Sequence, residues 1–221
     1  KMDFSPFYLS FKLAFISTVI LLVFCVPLAY FLSRVSFKGK SVIEAIISLP
    51  LVLPPSVLGF YILVFLSPYS AIGSFFEEHF GIRLVFNFTG LVIASCIYSL
   101  PFMFAPLLGA FNSLPKNIIE ASYTLGKGRI TTMLKIALPN IKPSLFNAII
   151  ISFAHTLGEF GVVLIIGGSL SRETKVASIA IYEATEMLDF TTAHIYSGIM
   201  LAISFFVLFC VYFLTKKMKK D

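Results

Sequence analysis

Long apolar runs separated by short basic segments leave this chain one environment in which to fold. Hydropathy marks five such runs, at about residues 13–32, 42–66, 88–111, 145–167 and 193–214. Each is near the roughly 20 residues a helix needs to cross a bilayer. A backbone in lipid must satisfy its own amides, so each run reads as a helix. Hydrophobic residues make up 58% of the chain and charged residues 13%, against about a quarter charged in soluble domains. The expectation is an all-α integral membrane protein with about five transmembrane helices. Residues 1–221 then read as a single transmembrane domain with no room for a separate globular one. The first run is too long for a signal-peptide core and no cleavage pattern follows it, so it reads as a retained helix. Lys1 and Met2 read as a trimmed start or a tag remnant.

Prolines and polar stretches punctuate these runs. Pro27 falls inside the first, where neighbouring helices can satisfy the freed carbonyl. Pro50, Pro54 and Pro55 interrupt the second, which is expected to be bent or locally unwound, and Pro101 and Pro106 kink the third. Residues 67–87 carry an amphipathic piece around Phe75, Phe76 and Phe80, suited to an interface rather than a crossing. Residues 168–192 are polar, with one helical stretch at 176–188 too charged to span freely.

Orientation follows from the cations, which are retained in cytoplasmic loops. Arg34, Lys38 and Lys40 follow the first run. Lys116, Lys127, Arg129, Lys135 and Lys142 lie in the 112–143 insert, and Lys216, Lys217, Lys219 and Lys220 in the tail. All fall on one side if five spans are counted, with the acidic Asp3, Glu77, Glu78, Glu173, Glu183, Glu186 and Asp189 on the other. The N-terminus is therefore expected outside and the C-terminus inside. The net charge of +6 is a topology signal with an attraction to anionic membrane lipid, not a nucleic-acid footprint. Cys25, Cys96 and Cys210 lie within apolar runs without metal-ligand spacing and read as packing residues.

The insert at about 112–143 is polar, basic and helix-competent. Pro115 suits the start of a short helix to Leu125, and Gly126 permits the positive φ that ends one. Beyond it Ile130, Met133, Leu134 and Ala137 repeat at helical spacing, and Leu138-Pro139 closes the pattern. Two short helices meeting at a glycine, with an apolar stripe, form a knob that fits a groove on another protein. Glu120-Ala121-Ser122, three residues, Gly126, nine residues, then Ile136-x-Leu138-Pro139 resembles the cytoplasmic "EAA" loop of ABC-importer permeases. Ser122 stands where that pattern has a second alanine.

Two further segments carry the resemblance. Leu49-Pro50-Leu51-Val52-Leu53-Pro54-Pro55-Ser56 and Leu157-Gly158-Glu159-Phe160-Gly161 are similar to segments of molybdate permeases of the ABC class. Sulfate permeases, close relatives, typically show G-E-Y-G, so Phe160 favours molybdate or tungstate. The resemblance implies a type I importer (MetI-like) fold in the cytoplasmic membrane, multi-pass. It also implies a second copy of the chain, two ABC ATPase subunits gripping the loop, and an extracytoplasmic oxyanion-binding protein. ATP and Mg would be held by the ATPase, with no cofactor in this chain. Coupling would fall to Glu120, Ala121, Gly126, Ile136, Leu138 and Pro139. Pore or gate candidates are Pro54, Pro55, Ser56, Ser152, His155, Thr156, Gly158, Glu159, Phe160 and Gly161.

Rival classes find less support. Gly39-Lys40-Ser41 is the nearest approach to a phosphate loop, but Arg34 stands where its first glycine belongs. An enzyme would need a nucleophile and base or metal ligands facing one another, and His79, His155 and His194 form no such motif. A stand-alone secondary transporter usually shows internal repeats, and the halves of this chain do not resemble each other. His155 occupies a position where the family commonly has arginine. Glu159 is the oddest residue, since a charge at a helix centre costs about 2.5–3.5 kcal/mol on insertion scales. A His155–Glu159 pair one turn apart is geometrically available, and Glu159 is expected to hold structure at the gate through hydrogen bonds to backbone or a neighbouring helix. Gly158 and Gly161 are expected to permit close helix approach.

Overall fold

The computed structural model describes residues 3–218; Lys1, Met2, Lys219 and Lys220 lie outside them. Among the described residues, three helices are long and apolar enough to cross a membrane, and up to five crossings result if each of two bent helix pairs is one span. The three are α1 (Ser5–Arg34), α5 (Phe88–Ser113) and α12 (Phe190–Met218). Between the first two lie α2 (Lys40–Ser48), a 3-10 turn (Leu49–Leu51), α3 (Pro55–Leu66) and α4 (Ala71–Phe80). After α5 come α6 (Lys116–Thr124), α7 (Arg129–Thr132), a π turn (Met133–Ala137) and α8 (Leu138–Asn140). Then follow α9 (Lys142–Leu157), α10 (Gly161–Gly167) and α11 (Ala177–Glu186).

Helices α1, α5 and α9 make the centre. On α5 the buried residues Leu91, Ser95, Ser99, Met103, Leu107 and Phe111 recur every four positions, which puts them on one face. Ser17, Leu21, Cys25 and Ala29 do the same on α1, and Ala148, Ser152 and Thr156 on α9. Lipid offers no hydrophobic drive between helices, so small side chains that admit close backbone approach supply the association through packing. Larger groups fill the inner end, where the Tyr30 and Phe111 rings meet edge-on at 5.4 Å. Cys25 is buried as expected and Cys96 is half-buried; the Cys210 side chain lies outside the described set.

Helix α12 is different. Only 11% of its most apolar window is buried, against 44% for α1 and α5. It packs on α11 and α9 by one face and leaves Leu201, Phe205, Phe206, Phe209 and Phe213 outward, as a lipid-facing helix would.

The second run is bent and locally unwound as expected: α2 with its 3-10 turn and α3 have axes that turn by 111° around residues 52–54; Pro54 lacks an amide hydrogen and restrains the residue before it to extended backbone. One expected span needs correction. The fourth run, expected as one span over 145–167, starts earlier at Lys142 and breaks at Gly158–Phe160 before α10 begins. Pro101 and Pro106, by contrast, lie within a continuous α5. On the outer side, α4 starts where Ser70 Oγ accepts from Gly73 N–H at 2.9 Å and ends at Gly81 with φ +65°. Phe75 and Phe80 are exposed on it, which fits an interfacial piece.

Candidate functional site

The insert folds as a helical arm of short helices, α6 to α8. Pro115 sits as the residue before α6, one position earlier than a first-turn proline. Gly126 adopts φ +73°, a region that costs other L-residues about 1–2 kcal/mol. There its amide donates to the Tyr123 carbonyl at 2.9 Å and the Lys127 amide to the Ser122 carbonyl at 3.1 Å, satisfying carbonyls at the end of α6. The Ser122 and Thr132 hydroxyls, both buried, lie 2.9 Å apart. Ser122 thus adds a polar clip between α6 and α7 that an alanine cannot make. Glu120 and Ala121 are exposed on α6, Pro139 is exposed, and Ile136 and Leu138 are half-buried.

The apolar stripe expected beyond Gly126 does not form as one line. Met133–Ala137 is a π turn, which holds one more residue per turn than an α-helix and shifts everything after it. Ile130 (71% exposed) and Leu134 (51%) face outward, Met133 is half-buried, and Ala137 is fully buried. Leu138-Pro139 does not stop the helix either; α8 continues to Asn140 and the chain turns by 84° into α9.

Within the membrane region, the two segments marked by sequence come together. Pro55 opens α3 and Gly161 opens α10, and a Cβ placed on Gly161 would lie 2.7 Å from Pro55 Cβ. A Cβ on Gly59, one turn further along α3, would lie 3.0 Å from Ile165 of α10. Gly161 is therefore required for space. Gly158 is not: it ends α9, and a Cβ there would have ordinary contacts only. Pro54, Pro55 and Ser56 are exposed, and Val52 beside them is 84% exposed. Phe160 is half-buried against Tyr182 of α11, ring centroids 5.0 Å apart.

The His155–Glu159 pair does not form. Helix α9 ends at Leu157, so Glu159 has left the face that carries His155. Instead Ser99 Oγ lies 2.9 Å from His155 Nδ1 and 2.8 Å from Thr156 Oγ1. The imidazole stacks on Phe102 with centroids 3.8 Å apart. Glu159 does hold the break to α11, but through its backbone: Ser178 Oγ donates to the Glu159 carbonyl at 2.6 Å. The residue is 5% exposed, and neither carboxyl oxygen has a hydrogen-bond partner among the described residues. The Ser152 hydroxyl is buried and unpartnered in the same way.

Ser95, Ser99 and Ser178 were not singled out by motif. The four-residue repeat of buried positions on α5 is the signal that locates the first two. On the outer side, burial raises the Glu183 carboxyl, but the hydrogen bond and charge of Lys175 outweigh it and hold the group below its ordinary value. Asp3 is lowered by hydrogen bonds from the Ser5 backbone and side chain.

Comparison with known proteins gives this geometry a context. The family described as "Binding-protein-dependent transport system inner membrane component" matches residues 25–220. A molybdenum transport system permease protein, ModB, of Azotobacter vinelandii is 41% identical over 95% of this chain and 93% of its own length. A putative molybdenum transport system permease of Bacillus subtilis is 33% identical over 94% and 92%. The sulfate transport system permease CysT of Escherichia coli is 30% identical over 90% of this chain and 71% of its own. Among solved structures, a bacterial alginate ABC transporter superposes with TM-score 0.79 at 18% identity, over 98% of this chain and 79% of that one. The MetNI methionine ABC transporter gives 0.71 at 16%, over 95% and 93%. The helical arrangement is thus that of a type I ABC-importer permease. A family match over nearly the whole chain and a relative at 41% identity agree: this chain belongs to the binding-protein-dependent transport system inner-membrane components, multi-pass proteins of the membrane.

Proposed function

We propose that this chain is the permease subunit of an ATP-driven importer for molybdate or tungstate. The observation that carries the reading is the 41% identity, along nearly the whole of both chains, to a molybdenum transport permease. Residues 1–221 act as one transmembrane domain. Two copies line a pathway at a two-fold axis, and an external binding protein delivers the oxyanion. The arm at 112–143 docks on a separate ATPase subunit, which holds ATP and Mg. Glu120, Ala121, Gly126, Ile136, Leu138 and Pro139 transmit the motion, Glu120 by polar contact and Gly126 by its turn.

The junction of Pro54, Pro55 and Ser56 with Gly158, Glu159, Phe160 and Gly161 is the gate. Its support is the seating of Pro55 on Gly161 and the exposure of Val52 in the break before α3 and of Phe60 and Tyr61 on α3, a face open to a neighbour. Ser152, His155 and Thr156 stand behind it in the α5–α9 packing. His155 is clamped between Ser99 and Phe102, so it positions helices and leaves selectivity to the binding protein.

The test is uptake in vesicles holding this chain, its ATPase and its binding protein. Molybdate should enter only with ATP, with tungstate competing and sulfate failing to compete at equal concentration. Equal competition by sulfate would favour the second reading, a sulfate-type permease, for which the 30% identity to a sulfate permease speaks. Uptake without nucleotide would end both.

A further inference from the structure

At the inner end of α1 a cleft of 350 Å³ is lined by Pro27, Tyr30, Phe31, Arg34, Arg129 and Ile130, among others. None of these residues has a role in the gate or in the arm's turn. The depth of the cleft can be placed. Lys12, over the Phe88 ring at 4.4 Å, is the outer of the two cations on α1, and the 22 steps from residue 12 to residue 34 rise about 33 Å. That matches a hydrocarbon thickness of about 30 Å. Arg34 therefore stands at the inner boundary, with Phe31 about 4.5 Å and Pro27 about 10 Å inside it.

The mouth is cationic and polar. Arg34 donates through Nη2 to the Phe111 carbonyl at 3.0 Å, its Nε has no partner among the described residues, and its guanidinium lies 5.6 Å from the Tyr30 ring centroid. Arg129 enters from α7. Neither arginine is in an ion pair among the described residues. The Tyr30 and Tyr123 hydroxyls meet at 3.4 Å beside them. Below the mouth the wall turns apolar, and exposed Phe31, Leu28 and Phe24 continue it along α1.

We propose that this cleft binds the phosphate headgroup of an anionic phospholipid, with the headgroup between Arg34 and Arg129 and an acyl chain along Phe31 and Pro27. A zwitterionic lipid brings its own cation to the phosphate, so two unpaired arginines select for net negative charge. A soluble subunit does not reach a wall that extends about 10 Å below the charged boundary. Because Ile130 and Met133 belong to the arm and Pro27 to α1, the bound lipid joins the two. The site is independent of which oxyanion is carried.

The full chain, purified from bilayers of equal phosphatidylglycerol and phosphatidylcholine, is examined by native mass spectrometry. One phosphatidylglycerol per chain should be retained in preference to phosphatidylcholine. Arg34→Gln and Arg129→Gln should each cut that retention on the order of fivefold. Arg129 is exposed, so its variant carries the test if loss of the Arg34 contact to Phe111 prevents folding. Equal retention of both lipids, or undiminished retention in Arg129→Gln, overturns the proposal. So does displacement by millimolar inorganic phosphate, which would make the ligand a free anion. Expulsion of the lipid on adding the ATPase subunit would make the cleft a protein-docking surface and likewise overturn it.

Discussion

At Gly126 a Cβ would meet nothing within 4 Å, yet the backbone stands at φ +73°. At Gly161 the backbone is not in the left-handed region, yet a Cβ would meet Pro55 at 2.7 Å. One glycine is held by torsion in open surroundings, the other by crowding inside the bundle. A helix end in water can be set by local turn chemistry alone. A helix end in the membrane needs a neighbour to satisfy and fill the gap, and here Pro55 and Ser178 are those neighbours. Local breaks follow from short motifs, whereas buried breaks follow from partners distant in sequence.

The largest expected effect comes from forcing a side chain into the crowded break. Gly161→Val should destabilise the chain by up to about 3 kcal/mol through overpacking and abolish uptake, with Pro55→Gly restoring part of both. Melting curves and transport of the double variant check this, and equal loss in both backgrounds would break the Pro55 link. Gly126→Val should be next, at about 1–2 kcal/mol, with uptake lost while the span helices persist. Gly126→Asn, which tolerates positive φ, should keep most uptake. If asparagine fails as badly as valine, torsion is not the constraint.

The clip between α6 and α7 gives a smaller effect. Ser122→Ala strands the buried Thr132 hydroxyl and should cost about 1 kcal/mol, while replacing both by apolar groups of similar shape should be nearly neutral. At the buried break after α9, Ser178→Ala removes a hydrogen bond and should lower the melting temperature by a comparable amount. Glu159→Gln removes none, so it should leave melting unchanged while uptake falls; unchanged uptake would take the carboxyl out of the gate. The least effect lies at the outer rim. The folded Glu183 value is depressed, so its pair with Lys175 stabilises above the ordinary value of 4.5 and is lost as pH falls through the lower folded one. Acid melting curves of Glu183→Gln should lose this slope, worth less than about 1 kcal/mol.

Much of the architecture was legible. The apolar runs located the helices long enough to cross a membrane, and Gly126 gave the turn, because each depends on composition or on a single residue. What sequence missed depends on three-dimensional partners. Nothing local at Gly158 announces that α9 stops at Leu157 so that Glu159 points away from His155. Nor does the 130–137 spacing reveal a π turn, which breaks a stripe that α-helical counting makes look continuous. The pairing of Pro55 with Gly161 joins motifs about a hundred residues apart, and no periodicity connects them.

The π turn at Met133–Ala137 has a mechanical corollary. Its surplus residue is slack wound into the stalk between the tip at Gly126 and the root at Ile141. Drawing that residue back into α geometry would lengthen the stalk by about 1.5 Å and swivel its tip by about 100°, without melting either end. The turn thus holds one residue's worth of length in reserve within the arm.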